Sequence, residues 1–125
     1  MKRYNLLTRL YMGTRYSVSG LVCAFKQEQA FEFEAVALLV LFAILLYLRP
    51  GFLISAALGG AWTLVMALEL VNSAVERAFD LIDMEFNPQI KAGKDMLSAA
   101  VFLMIAFNVF LWCLFLLWFV PFPTP

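Results

Sequence analysis

The sequence predicts an all-α membrane protein: an N-terminal amphipathic surface helix followed by three transmembrane helices. Three observations carry that expectation. Of the 125 residues 64% are hydrophobic and 14% charged, whereas a soluble domain carries roughly half apolar and about a quarter charged residues. The 13 Phe and 3 Trp would overfill the core of so small a soluble domain. Three stretches, 35–48, 51–68 and 96–125, contain no charge, and a spanning helix needs about 20 mostly apolar residues. At this length the chain is expected to form one domain.

The first element is expected over about 4–27. With apolar positions recurring at helical spacing, Leu6, Leu7, Leu10, Val18, Leu21, Val22 and Phe25 share one side. Arg9, Gly13, Ser19, Gly20 and Lys26 fall largely opposite, while Thr14 and Ser17 interrupt the apolar side. That pattern reads as a helix lying in the membrane interface. It does not read as a cleavable signal, because Arg9 and Arg15 leave no uninterrupted apolar core. The first spanning helix is expected over about 29–48. It is long enough only if Glu32 and Glu34 sit at the interface, and Arg49-Pro50-Gly51 closes it. The second is expected over about 52–83, extending into the cytoplasm, and the third over about 92–119. Ser55, Gly59 and Thr63, and likewise Ala56 and Gly60, form small-residue rows suited to helix packing. Trp112 and Trp118, near the outer end of the last helix, suit an aromatic belt.

Lysine and arginine set the expected orientation. Lys2, Arg3, Arg9, Arg15 and Lys26 lie in the N-terminal arm, and Arg77, Lys91 and Lys94 lie around the loop before the last span. The outer turn holds only Arg49, and the tail 121–125 holds no basic residue. The N-terminus should therefore be cytoplasmic and the C-terminus outward.

The second helix continues past its apolar run. Glu69, Asn72, Glu76, Asp80 and Asp83 are spaced 3, 4, 4 and 3, which confines them to an arc of about 80° on one face. Glu69 lies roughly 26 Å along the helix from Phe52 at about 1.5 Å per residue, near the inner edge of the hydrocarbon. Glu28, Glu32 and Glu34 precede the first span on the same side; Lys94, Asp95 and Ser98 open the last. Ionisable groups at such a depth should face one another or water. Glu32, Asp83, Arg49 and Arg77 read as solvated anchors, and Glu85 and Lys91 stand between anchor and site. Glu69 and Glu76 read as functional, because a carboxylate column with an amide inside lipid depth needs partners.

Composition narrows the chemistry. Zero net charge gives no reason to expect a nucleic acid partner. The absence of His removes imidazole metal sites, Ser-His-Asp triads and histidine bases. Cys23 and Cys113 have no metal-binding spacing. Several carboxylates with one Lys and one Arg suit Mg²⁺ and phosphates, since Mg²⁺ prefers oxygen and is usually held by one or two carboxylates plus substrate phosphates. A spare carboxylate at the membrane boundary could take a proton from a lipid hydroxyl, as in phosphoryl transfer. Neither a P-loop nor a protein-kinase signature is present: Gly93-Lys94 is followed by Asp95, and position 88 is Pro.

The run Glu69-x-x-Asn72-Ser73-Ala74-Val75-Glu76-x-x-x-Asp80, followed by Ala92-x-Lys94-Asp95-x-x-Ser98-Ala99-Ala100-Val101, resembles the prokaryotic diacylglycerol kinases. These are small three-helix integral membrane lipid kinases. The resemblance runs from about Thr8 to Trp118, through Tyr16-Ser17, Gly20-Leu21 and Glu28-x-Ala30-Phe31-x-x-Glu34. It implies ATP-dependent phosphorylation of diacylglycerol in the bacterial inner membrane by a homotrimer with sites shared between subunits. Glu69 would be the general base, and Glu28 and Glu76 would hold Mg²⁺. Arg9, Tyr16, Glu28, Asn72, Glu76, Asp80, Glu85, Asn87, Lys94 and Asp95 would contact ATP. Arg9, Ala30, Phe31, Glu34, Glu69, Ser98 and Trp112 would contact the lipid. Undecaprenol is the acceptor in another branch; Ala30-Phe31-Glu32-Phe33-Glu34 is similar to the diacylglycerol branch. Departures lie on the nucleotide side. Met12, Ser19 and Val22 replace frequent basic residues, Asn87 stands where His is usual, and Lys91 could substitute for a lost cation. A small oligomeric proton-coupled transporter and a non-enzymatic scaffold subunit are the competing readings.

Overall fold

The computed structural model describes residues 5–82 and 86–119. Four helices follow in chain order: α1 Leu6–Gln27, α2 Gln29–Leu48, α3 Phe52–Ile82 and α4 Pro88–Phe119. The last three are long and apolar enough to cross a membrane. Lys2, Arg3, Asp83, Glu85 and the tail 121–125 lie outside the described residues.

Local chemistry fixes the ends. Asn5 caps α1, its Oδ1 accepting from the Thr8 amide at 2.8 Å. A single extended residue, Glu28, separates α1 from α2, with φ −114° and ψ 104°. Its N–H still reaches the Ala24 carbonyl at 2.8 Å, and its own carbonyl accepts from the Glu32 amide at 3.2 Å. The chain therefore bends at Glu28 with little loss of backbone hydrogen bonding. Arg49 ends α2 in the left-handed region, φ 51° and ψ 51°, and its N–H donates to the Leu45 carbonyl at 2.9 Å. Gly51, at φ 97°, completes the turn into α3.

α3 has 31 residues, about 46 Å at ~1.5 Å per residue, so it exceeds a hydrocarbon layer of about 30 Å. α4 begins at Pro88 rather than near 92. Asn87 supplies the reason: its Oδ1 accepts from the Gln89 amide at 2.9 Å, and Pro88 fits the first helical position, where no N–H is needed. Lys91 consequently stands within the first turn of α4 rather than before it, and Lys94 and Asp95 lie a turn further in.

α3 is the central element, packed against both α2 and α4, while α1 packs against α2. The buried row of α3 is Leu58, Ala61, Val65, Glu69 and Asn72, so the face that packs turns polar at Glu69. At the far end Leu45, Leu58 and Phe115 form an apolar cluster joined by Trp112. Trp112 meets Phe115 edge-on, with ring centroids 5.8 Å apart. Most remaining large apolar side chains are exposed, among them Leu39, Phe42, Leu64, Phe102 and Phe110, as lipid-facing positions should be. Between the two ends Asn108, 1% exposed, donates from Nδ2 to the Ala61 carbonyl at 3.0 Å and to the Met104 carbonyl at 3.1 Å. This amide stitches α4 to α3 within a stretch whose Phe- and Leu-rich sequence reads as wholly lipid-facing.

Candidate functional site

The site begins with helical periodicity. Glu69, Asn72 and Ser73 are buried on α3, Glu76 is half-buried one turn on, and Asp80 is exposed beyond it. Glu69 is 7% exposed. The Asn72 side chain lies beside its carboxylate, and the charges of Glu76 and Glu28 lie close enough to repel its own. α2 contributes a further carboxylate: Glu34 is buried and faces Glu69 electrostatically. The Trp62 indole N–H, 2.9 Å from the Glu34 carbonyl, ties α3 to α2 at this level. The structure thus brings Glu28, Glu34, Glu69, Asn72 and Glu76 together from three segments of chain.

Two atoms in this group are incomplete. Glu34 Oε2 and Asn72 Oδ1 are buried acceptors with no hydrogen-bond partner. A buried acceptor without a donor costs free energy. The arrangement therefore suits a ligand that brings a hydroxyl or a cation.

Lys94 is positioned by close helix packing. A Cβ on Gly93 would lie 3.0 Å from the Phe79 ring, so glycine lets α4 approach α3 there. Lys94 Nζ is consequently ion-paired with Asp80 Oδ1, one turn beyond Glu76. Lys91 is committed to Asp95 at 2.6 Å. A groove of about 510 Å³ runs between α1 and α3, with Ser17, Cys23, Glu28, Ser73 and Arg77 in its wall.

Other sequence-predicted residues are not gathered here. Arg9 and Tyr16 are exposed on α1, Ala30 and Ser98 are exposed, and Phe31 is buried on α2. Among the described residues, no side-chain hydrogen bond or ion pair joins Arg9, Tyr16 or Ser98 to the carboxylates. Trp112 lies toward the opposite end of α4 from Lys94, about 27 Å along the helix at ~1.5 Å per residue. Asn87 caps α4. Arg77 departs from its reading as a solvated anchor: its guanidinium is ion-paired with Glu28 and lies 3.4 Å from Cys23 Sγ. Sequence spacing gave no signal for this contact, because Arg77 sits off the carboxylate stripe and its partner is 49 residues away.

Among the described residues, no cluster of three or more acidic, His or Cys side chains could hold a metal unaided. Mg²⁺ asks for less, one or two carboxylates with the rest supplied by phosphates and water. The hard-oxygen donors Glu28 and Glu76, both within electrostatic reach of Glu69, fit that demand.

Comparison with known proteins gives a consistent assignment. Residues 15–116 match the family model described as prokaryotic diacylglycerol kinase. A protein of Helicobacter pylori strain J99 named diacylglycerol kinase is 39% identical over 111 residues, covering 87% of this chain and 85% of the relative. The Escherichia coli K12 protein of the same name is 38% identical, covering 89% and 90%. The Pseudomonas aeruginosa diacylglycerol kinase is 32% identical over the same shares.

Proposed function

The chain belongs to the prokaryotic diacylglycerol kinase family, and we propose that it transfers the γ-phosphoryl group of ATP to the primary hydroxyl of diacylglycerol, giving phosphatidic acid. The observation that carries this reading is the convergence of Glu28, Glu34, Glu69, Asn72 and Glu76 where the buried face of α3 turns from apolar to polar. A lipid alcohol dissolved in the bilayer and a nucleotide dissolved in water can both reach such a boundary.

Glu69 is the general base. It is the deepest carboxylate of the α3 stripe, with the Asn72 amide beside it. It takes the hydroxyl proton as the lipid oxygen bonds to the γ-phosphorus and the bond to the bridging β–γ oxygen breaks, with ADP leaving. The unpartnered Glu34 Oε2 and Asn72 Oδ1 offer acceptors to align the hydroxyl, and the family resemblance would give Ala30, Phe31 and Ser98 to its approach. Glu28 and Glu76 would hold Mg²⁺, which supplies charge neutralisation on the phosphates. Lys94 would exchange its exposed partner Asp80 for phosphate oxygens. The family resemblance would give Arg9, Tyr16, Asp95, Asn87 and Glu85 to the nucleotide side. Trp112, remote from the carboxylates, meets acyl chain rather than headgroup.

α1 lies in the inner-membrane interface with the N-terminus cytoplasmic, and the C-terminus faces outward; the lysine and arginine distribution supports that orientation. The working unit is a homotrimer, as the family resemblance implies. A groove of about 450 Å³ between α2 and α3, lined by Ser55, Ala56, Gly59, Gly60 and Thr63 together with apolar α2 residues, supports contact with a neighbouring copy. Small residues there admit a neighbouring helix. A proton-coupled transporter would need an ionisable group at mid-membrane. The buried polar group described there, Asn108, does not ionise in the physiological range.

The test is incubation of purified protein in micelles with labelled ATP, Mg²⁺ and either diacylglycerol or undecaprenol. Label in phosphatidic acid is expected. Label only in undecaprenyl phosphate would move the protein to the other acceptor, and no labelled lipid would end the kinase reading.

A further inference from the structure

Arg77 stands outside the roles assigned so far, yet it is tied to their centre. Its Nε lies 3.1 Å from Glu28 Oε1 and its Nη2 contacts the same oxygen. Nη1 lies 3.4 Å from Cys23 Sγ. The guanidinium therefore spans from α3 to the bend between α1 and α2. Both contacts to Glu28 fall on Oε1, which leaves Oε2 clear of the guanidinium. Other nearby cations are engaged elsewhere, Lys94 with Asp80 and Lys91 with Asp95. Among the described residues, Arg77 is thus the cation paired with Glu28, whose charge in turn repels that of Glu69.

We propose that Arg77 is a positioning residue and resident counter-ion for Glu28, one that biases the site toward a divalent cation already carried on a nucleoside triphosphate and against the bare cation. The inference rests on Glu28 being a metal ligand. Its physical basis is the sign of charge. A bare divalent cation meets the guanidinium as a like charge, whereas the metal–triphosphate complex is a net anion and is attracted. The fork geometry of arginine also fixes the direction of the carboxylate. Glu28 needs that help because it lies at a helix break, not within a helix. The Arg77 side chain is 46% exposed, so the interaction acts through a water-like dielectric and amounts to about three- to tenfold in cation affinity.

The experiment measures Mn²⁺ binding alone, by the free-ion electron paramagnetic resonance signal, on full-length protein in neutral detergent. A second titration uses a non-hydrolysable ATP analogue with Mg²⁺. Arg77→Ala should bind bare Mn²⁺ about three- to tenfold tighter and the metal–nucleotide complex several-fold more weakly. The gain should shrink in high salt, as screening requires. Arg77→Lys, which keeps the charge, should stay near the parent for bare Mn²⁺. Should Arg77→Ala prove unstable, Arg77→Gln removes the charge and keeps a donor for Glu28. If the neutral variants bind bare Mn²⁺ within about twofold of the parent while Glu28→Ala abolishes binding, the role of Arg77 is refuted and the metal reading survives. If Glu28→Ala leaves Mn²⁺ binding unchanged, Glu28 is no ligand and both fall.

Discussion

Replacing Glu69 with Gln isolates proton abstraction from packing. Glu69 is 7% exposed, and glutamine has nearly its volume, so no cavity opens. The Asn72 side chain beside the carboxylate can donate equally to an amide oxygen. The charges of Glu76 and Glu28 repel that of Glu69, so the variant sheds like-charge repulsion and its Tm should hold or rise. A positioned general base contributes about 10²–10⁴-fold, or about 2.7–5.4 kcal/mol at ~1.36 kcal/mol per decade. The expected outcome is a kcat lowered by that factor, with ATP-analogue binding retained. The assay is phosphatidic acid formation from labelled ATP in mixed micelles, paired with a thermal melt. A kcat within tenfold of the parent in a folded, nucleotide-binding variant would refute proton abstraction by Glu69. A fall of many degrees in Tm would show instead that the carboxylate is structural.

Other outcomes follow from the same geometry. Alanine at Glu28 or Glu76 should raise the Mg²⁺ concentration for half-maximal activity at saturating lipid; an unchanged Mg²⁺ curve in both variants removes them from the metal. Arg49→Gly should stabilise the α2–α3 turn by about 1 kcal/mol, since a non-glycine residue in the left-handed region costs roughly 1–2 kcal/mol, whereas Gly51→Ala at φ 97° should destabilise it; detergent unfolding curves shifting the opposite way would contradict the turn geometry. Asn108→Ala loses one hydrogen bond to α3, at Ala61, and one within α4, at Met104, the interhelical bond being worth about 0.6–1.7 kcal/mol. Its stability should drop while the KM for ATP stays put, and a selective rise in that KM would place Asn108 in the site.

The carboxylate stripe is legible in the sequence because a helix is a local structure. Spacings of three and four residues put Glu69, Asn72, Glu76 and Asp80 on one face whatever lies opposite. The start of α4 is less legible. The expected start near 92 falls among the charges of Lys91, Lys94 and Asp95, while Asn87 and Pro88 form an earlier cap. Asn108 escapes notice because one amide barely alters an apolar run; only its contact with the Ala61 carbonyl shows what it does. Arg77 reads as an anchor for the same reason: nothing within a few residues of it indicates a partner.

By itself the sequence determined the helical class, the three spans, the acidic stripe and the resemblance to a lipid kinase family, because hydropathy, helical period and motif spacing are properties of neighbouring residues. Tertiary structure alone decided which charges meet. Arg77 reaches Glu28 across 49 residues, Trp62 holds the Glu34 carbonyl across 28, and Asn108 bonds Ala61 across 47. Each contact depends on the angle and depth at which helices cross. Those are set by the summed packing of small residues such as Gly93 against Phe79, which no local stretch of sequence encodes.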